Sequence, residues 1–269
     1  MKKHVVVMTF PSAKWDVYGF CLKGFINNWP KSVQAYAVVE DPQNIPIDIP
    51  DNVTIIDFDE ACGERQAAFE ERNKHRGIMD MGTTGNIATQ AAKFARKAHA
   101  QLHILNTVDA DVVWYVDADL YTHKPVTMEL LETLSEGEHL IGATPRWWKK
   151  GIPIETALKM KQLGKGYTET GLMSWNKSHP QFEKWIALYA EMYDNDLIFE
   201  YDAWHDCVSF DKATIQCIVE DDAGVCDFGY GIRSSHPLVS GPLGAYFDHL
   251  KGQRKFQGFS KERIRVHGK

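Results

Sequence analysis

Apolar and polar positions along this chain fall into short β-type runs separated by longer stretches with helical spacing. His4 to Phe10 (HVVVMTF), Val33 to Val39, Asn52 to Phe58 and Val112 to Val116 (VVWYV) are almost continuously apolar. That is the pattern of strands covered on both faces, as in parallel sheets. Between them, Trp15 to Trp29, Glu60 to Asn73 and Ile87 to Ala100 show helical spacing, the first stopped by Pro30. Strand and helix alternate from the start, which predicts an α/β fold with a mostly parallel central sheet flanked by helices, of the nucleotide-binding type.

Further along, the pattern predicts a helix over Val126 to Leu134 and strands over His139 to Ala143 and Tyr167 to Asn176. A helix follows from Pro180 to Tyr193, with a core stripe of Phe182, Trp185, Ile186, Tyr189 and Met192. Another opens at Trp204 and reaches about Val219; a last short strand runs from Val225 to Phe228, and loops lead to the tail. Two intervening segments read as loops with a task. Gly82-Thr83-Thr84-Gly85-Asn86 lacks the G-K-[ST] of a phosphate loop and reads as a turn and helix cap. Arg146-Trp147-Trp148-Lys149-Lys150 sets paired tryptophans among cations, as in a lid or acceptor platform, with packing on segment 154–163 as the alternative.

The strand Val112 to Val116 is followed directly by Asp117-Ala118-Asp119. Ligands of open α/β sheets bind at the carboxyl ends of strands, so this pair of acids stands where chemistry is expected. Aspartate oxygens suit Mg²⁺ or Mn²⁺, which share their remaining coordination with substrate phosphates. The same tripeptide, Asp109-Ala110-Asp111, precedes the strand; acids at that amino end read as turn or solvated-loop residues.

The chain has 269 residues, 44% hydrophobic and 25% charged, the composition of a folded globular enzyme. Five cysteines (Cys21, Cys62, Cys207, Cys217, Cys226) without a C-x-x-C pair fit reduced core thiols rather than a disulfide or zinc framework. The apolar run after Met1 is too short for a signal peptide, and no run approaches a membrane span of roughly 20 residues. The expected location is cytoplasmic, with the membrane periphery as the alternative. The net charge of −6 is unevenly spread: residues 146–166 carry six Lys/Arg against one Glu, and residues 251–269 carry seven against one. Cationic segments on an acidic body point to a locally gripped anion rather than a uniformly basic nucleic-acid binder.

The tail contains His249-Leu250-Lys251-Gly252-Gln253-Arg254-Lys255, or H-x-x-G-x-x-K. With the strand-borne Asp117-Ala118-Asp119, it resembles the GT-A glycosyltransferases, in particular the retaining family of glycogenin and the bacterial lipopolysaccharide galactosyltransferases. The resemblance implies the GT-A fold over about residues 1–250, with a nucleotide-binding half (about 1–122), an acceptor half (about 123–250) and a basic tail, 251–269, contributing to the donor diphosphate site. It implies that Asp117, Asp119 and His249 hold Mn²⁺ (or Mg²⁺), that Gly252 and Lys255 hold the diphosphate, and that Thr9 and Phe10 lie near a nucleotide base, uridine by preference. Thr168-Glu169-Thr170-Gly171-Leu172 stands in the place of the stretch that contacts donor-sugar hydroxyls, with Glu169 where asparagine is usual. His205-Asp206-Cys207-Val208 stands in the place of the aspartate and glutamine near the anomeric carbon. Phe256-Gln257 stands where the family has Pro-Trp.

These residues together imply a metal-dependent transfer of a hexose from a nucleotide-diphosphate sugar, a UDP-hexose by preference, with retention. Asp206 is the first candidate near the anomeric centre and Glu169 the second, whether by front-face attack or through a covalent glycosyl intermediate. The helix 87–100 offers Lys93, Arg96 and Lys97 as cations able to reach the donor, a solvated face being the plain alternative. The acceptor class is open: an anionic glycan, a lipid-linked acceptor, or DNA carrying a hydroxylated base. A nucleotidyltransferase, or an inactive sugar-nucleotide-binding module, are the rival readings; the former's glycine-rich, Arg-containing loop is absent after the first strand, where Thr9-Phe10-Pro11-Ser12 stands.

Overall fold

The computed structural model describes residues 2–76, 90–145, 167–201, 203–221, 223–229 and 236–268. The turn predicted at 82–86, the cationic tryptophan loop at 146–151 and the basic segment 154–163 lie outside them. The described strands are β1 (His4–Pro11), β2 (Gln34–Glu40), β3 (Val53–Asp57), β4 (Val112–Val116), β5 (Leu120–Thr122), β6 (His139–Thr144), β7 (Glu169–Asn176), β8 (Gly224–Asp227) and β9 (Phe247–His249). Their helices are α1 (Trp15–Tyr18), α2 (Phe20–Asn28), α3 (Phe58–Asn73), α4 (Ala91–Thr107), α5 (Met128–Leu134), α6 (Phe182–Asp194), α7 (Asp206–Asp221), α8 (Pro237–Ser240), α9 (Arg254–Gln257) and α10 (Lys261–His267).

Among these residues, seven strands form one sheet in the order β3-β2-β1-β4-β7-β6-β8. β3, β2, β1 and β4 are parallel; β7 runs antiparallel to both β4 and β6, and β8 is parallel to β6. β1 and β4 are covered on both faces as read, all five residues of β4 being buried, whereas at the sheet edge β3 buries only Val53. One face carries a core of Val113, Tyr115 and Trp175 against α3, α4, α6 and α7. The other buries Val6, Met8, Val112 and Trp114 under Leu22, Phe25 and Trp29 of α2 and its flank. Such interlocking apolar area is the main favourable term for the fold.

Local departures from the expected pattern have local causes. The stretch Trp15 to Trp29 is two helices that meet at Gly19, where a Cβ would lie 2.7 Å from the Trp15 ring. α4 continues seven residues past Ala100: Gln101 breaks the apolar period, yet it is buried and accepts a hydrogen bond from the Tyr189 hydroxyl at 2.7 Å. α3 begins at Phe58, two residues before the expected Glu60, because the Asp57 side chain caps the N–H groups of Asp59 and Glu60.

The region after β8 departs most from expectation. Instead of loops, it holds β9, which pairs antiparallel with β5 in the register Leu120↔His249. Behind this ladder the buried Asp248 accepts from Ser260 N–H (2.8 Å) and Arg263 Nε (2.9 Å), tying α10 to β9. Opposite, α2 packs so closely on β5 that a Cβ on Gly24 would meet Thr122 N at 2.6 Å. The short β5/β9 ribbon is thus clamped from both sides.

Candidate active site

The topology brings three chain ends to one place. β4 ends in Asp117, and because β7 is antiparallel to it, the start of β7 lies alongside: Asp117 N–H donates to Gly171 O at 2.9 Å. β9 ends in His249, placed by the ladder beside Asp119, whose carbonyl accepts from Leu250 N–H at 2.9 Å. α7 opens with Asp206, whose carboxylate accepts from the Thr170 hydroxyl at 2.7 Å. A cavity of about 530 Å³ opens between them, lined by Thr9, Phe10, Tyr18, Lys97, Asp117, Asp119, Glu169, Asp206, Lys251, Gly252 and Lys255, among others.

Asp117, Asp119 and His249 form one ligand set, with one potential donor atom from each within 4.8 Å of the others. His249 Nε2 lies 2.9 Å from Asp119 Oδ1 and 3.8 Å from Asp117 Oδ2, and the ring is fully buried. Two carboxylates that line the cavity, with a buried imidazole behind them, fit a divalent ion of the Mn²⁺ or Mg²⁺ type, with the cavity side left to other ligands. Burial works against ionising Asp119, but His249 and Lys255 outweigh it and hold the carboxyl far below the usual range. It is therefore ionised and ready to ligate at neutral pH.

The residues expected around the donor are gathered too. Lys255 Nζ stands 2.8 Å from Asp119 Oδ2, with its ammonium 4.3 Å from the centre of the Tyr18 ring. Gly252 has φ +62, a left-handed conformation that a side chain would strain, so glycine is required at this turn. Thr9 and Phe10 line the cavity at the carboxyl end of β1.

Lys93 and Arg96 also line the cavity, but Arg96 holds Glu70 at 3.1 Å and lies 3.9 Å from Glu40. The cation of this helix that reaches the centre is Lys97, only named in passing by sequence reasoning. Its Nζ lies 2.5 Å from Asp206 Oδ2 and 3.6 Å from Asp117 Oδ1, and it donates to Thr170 O at 3.0 Å. Burial opposes its charge, yet Asp117 and Asp206 override this and keep it protonated well above the usual lysine range. In return Asp206, despite burial, is held below its usual value by Lys97.

Glu169 lines the cavity and is buried. Its carboxylate meets His236 Nε2 at 2.6 Å, His249 Nδ1 at 3.5 Å and the half-exposed Lys251 at 3.5 Å, and accepts from Gly171 N–H at 3.2 Å. Against the cost of burial, Lys251, His236 and His249 hold it ionised well below the usual range. His236 is itself pushed down to about 4 by burial and is neutral at pH 7. Sequence reasoning missed His236, since nothing in its neighbourhood marks it.

The duplicate tripeptide takes no part. Asp111 accepts from Lys3 N–H at 2.7 Å and the exposed Asp109 pairs with Lys3 Nζ at 2.7 Å, at the opposite end of β4. Cys21, Cys62 and Cys217 are buried free thiols as expected, whereas Cys207 is only partly buried and lines the cavity.

With a mixed sheet, an acid pair after its fourth strand and a cavity at the strand ends, the fold is that of the GT-A glycosyltransferases. The chain is similar to WbbM, a bifunctional glycosyltransferase in its apo form, at 14% identity with a TM-score of 0.50; the match covers 79% of this chain and 37% of that one. It is also similar to the apo form of mouse xyloside xylosyltransferase 1 (12% identity, 84% and 85% of the two chains, TM-score 0.47). A third similar structure is the galactosyltransferase LgtC with donor and acceptor sugar analogues (12% identity, 84% and 73%, TM-score 0.44). The chain thus spans little more than a third of WbbM. No protein-family model matches it, and no curated protein matches it in sequence. No helix among the described residues is long and apolar enough to cross a membrane.

Proposed function

We propose that the protein is a metal-dependent hexosyltransferase that takes its sugar from a nucleotide-diphosphate donor, uridine being the preferred base, and transfers it with retention. The observation that carries this reading is the convergence of Asp117, Asp119 and the buried His249 at the wall of one cavity, which Asp117, Asp119, Lys255 and Gly252 line. A divalent cation at this set would act as a Lewis acid on the departing diphosphate. The chain's own residues supply the rest. Lys255 and the backbone at Gly252 bind diphosphate oxygens, Lys255 leaving Asp119 to do so, and add a preorganised positive charge where negative charge develops. Thr9 and Phe10 seat the base at the end of β1.

Asp206 is the carboxylate placed for the anomeric carbon. Its Oδ2 is already engaged by Lys97 and Thr170, which fixes the orientation of the group and keeps it ionised. An ionised carboxylate there stabilises an oxocarbenium-like centre and is able to attack it. The basic segments are read as facing an anionic acceptor. A panel of nucleotide sugars with and without Mn²⁺ tests the proposal: a UDP-hexose should raise the melting temperature further when Mn²⁺ is present, and purified protein should slowly hydrolyse it. No stabilisation by any sugar nucleotide would overturn the reading.

A further inference from the structure

The arrangement behind His249 fixes which of its nitrogens can face a cation. His236 Nδ1 accepts the backbone N–H of Leu238 at 3.2 Å, so the proton of this neutral ring sits on Nε2. That Nε2 lies 2.6 Å from Glu169 Oε2. The other oxygen, Oε1, accepts Gly171 N–H and faces Nδ1 of His249 at 3.5 Å. The His236 ring stands edge-on to the His249 ring, centroids 4.5 Å apart and planes at 85°. On its other side His249 has Gly171, where a Cβ would lie 2.7 Å from Cε1. The imidazole has no room to turn.

With no cation bound, Nε2 of His249 is the hydrogen-bonded nitrogen, 2.9 Å from Asp119 Oδ1. From this geometry we infer that Glu169 and His236 are positioning residues for His249: when a cation takes the place of the Nε2 proton, Glu169 stands at Nδ1 to receive the N–H that the ring keeps, and His236 packs against both Glu169 and the His249 ring. This reassigns Glu169 from the sugar or the anomeric carbon to the back of the metal site, and it rests on reading Asp117, Asp119 and His249 as a cation site. Ligating histidines commonly give their second N–H to a carboxylate, which fixes the tautomer and raises ligand basicity. A glutamine in place of Glu169 offers a single acceptor oxygen where two ring N–H groups each need one.

Manganese uptake by the metal-free protein, followed by the loss of the free Mn²⁺ paramagnetic resonance signal with no nucleotide present, tests the inference. Glu169→Gln should weaken Mn²⁺ binding roughly 10- to 100-fold, as loss of such partners does elsewhere. Nucleotide-sugar affinity measured in EDTA should stay close to wild type, which a merely structural defect would not allow. Wild-type Mn²⁺ affinity in Glu169→Gln overturns the inference, and so does a loss of EDTA-measured sugar-nucleotide affinity as large as the loss for Mn²⁺, since that marks a sugar contact. If Glu169→Gln does not fold, His236→Phe carries the test: Mn²⁺ binding should fall several-fold, and an unchanged value overturns the inference. Failure of the wild-type protein itself to take up Mn²⁺ would instead remove the cation site on which it stands.

Discussion

Asp119 Oδ1 and His249 Nε2 stand 2.9 Å apart although 130 residues separate them in the chain. The link is the ladder between β5 and β9, two strands of three residues each, held between α2 and the Asp248 to Arg263 pair. Because His249 is buried and carries no long flexible side chain, its distance from Asp119 is set by that backbone register. A one-residue slip would turn it to the opposite face.

The clamp makes a prediction of its own. Gly171→Ala puts a methyl group 2.7 Å from His249 Cε1 and 3.1 Å from Glu169 Oε1. Overpacking of this kind costs about 1–3 kcal/mol, so the variant should unfold at lower urea and bind Mn²⁺ more weakly. Titration of the purified variant with Mn²⁺ measures the second effect.

Lys97 and Asp206 form a buried pair, and removing one member strands the other's charge. Asp206→Ala should therefore destabilise the protein by about 3–5 kcal/mol and abolish turnover while retaining donor binding. Adding Lys97→Met should restore most of the stability and none of the turnover. Urea denaturation and single-turnover assays on the two variants separate these outcomes; full kcat in Asp206→Ala would remove that carboxylate from the reacting centre.

Lys255 should show opposite effects on the two ligands. Its ammonium lies 2.8 Å from Asp119 and so competes with any cation for that carboxylate. Lys255→Met should bind Mn²⁺ a few-fold more tightly when no nucleotide is present. The same variant should bind a UDP-sugar at least about tenfold more weakly, having lost a charge-assisted phosphate contact. Calorimetric titration of each ligand separately checks the sign of both changes.

Stability should depend on pH through His99, remote from the cavity. Burial first, and then the nearby Arg65, push its imidazole down to about 3, against roughly 6.5 when unfolded. A depressed histidine means that the unfolded chain binds the extra proton between these values, so the stabilisation is complete above about pH 6.5. It is lost progressively as pH falls toward 3, by a few kcal/mol in all. Melting curves from pH 7 to 4 should show this slope, and His99→Gln should flatten it.

Much of the fold was legible because β1, β2, β3 and β4 all declare themselves as apolar runs, and the acids after β4 follow from position alone. β5 and β9 did not, since three residues carry no periodicity, and their pairing depends on contacts across the whole chain. The tail's motif marked His249 and Lys255 without revealing the ribbon that delivers them. Lys97 was hidden for a different reason. Among three cations on one helix, only the packing of α4 against β1 and β7 decides which is driven inward, and Arg96 is drawn aside by Glu70. Glu169 was given a sugar-facing role by its place in a motif; its partner His236, with no pattern around it, is visible only in three dimensions.

The central claim is that a divalent cation sits between the β4 acids and the β9 imidazole and meets the donor diphosphate there. Crystals soaked with Mn²⁺ and UDP, with diffraction collected at the manganese edge, test it most directly. The account predicts one anomalous peak within coordination distance of Asp117, Asp119, His249 Nε2 and the diphosphate, absent in Asp119→Ala. A UDP molecule bound in the cavity with no manganese beside those three residues would contradict it.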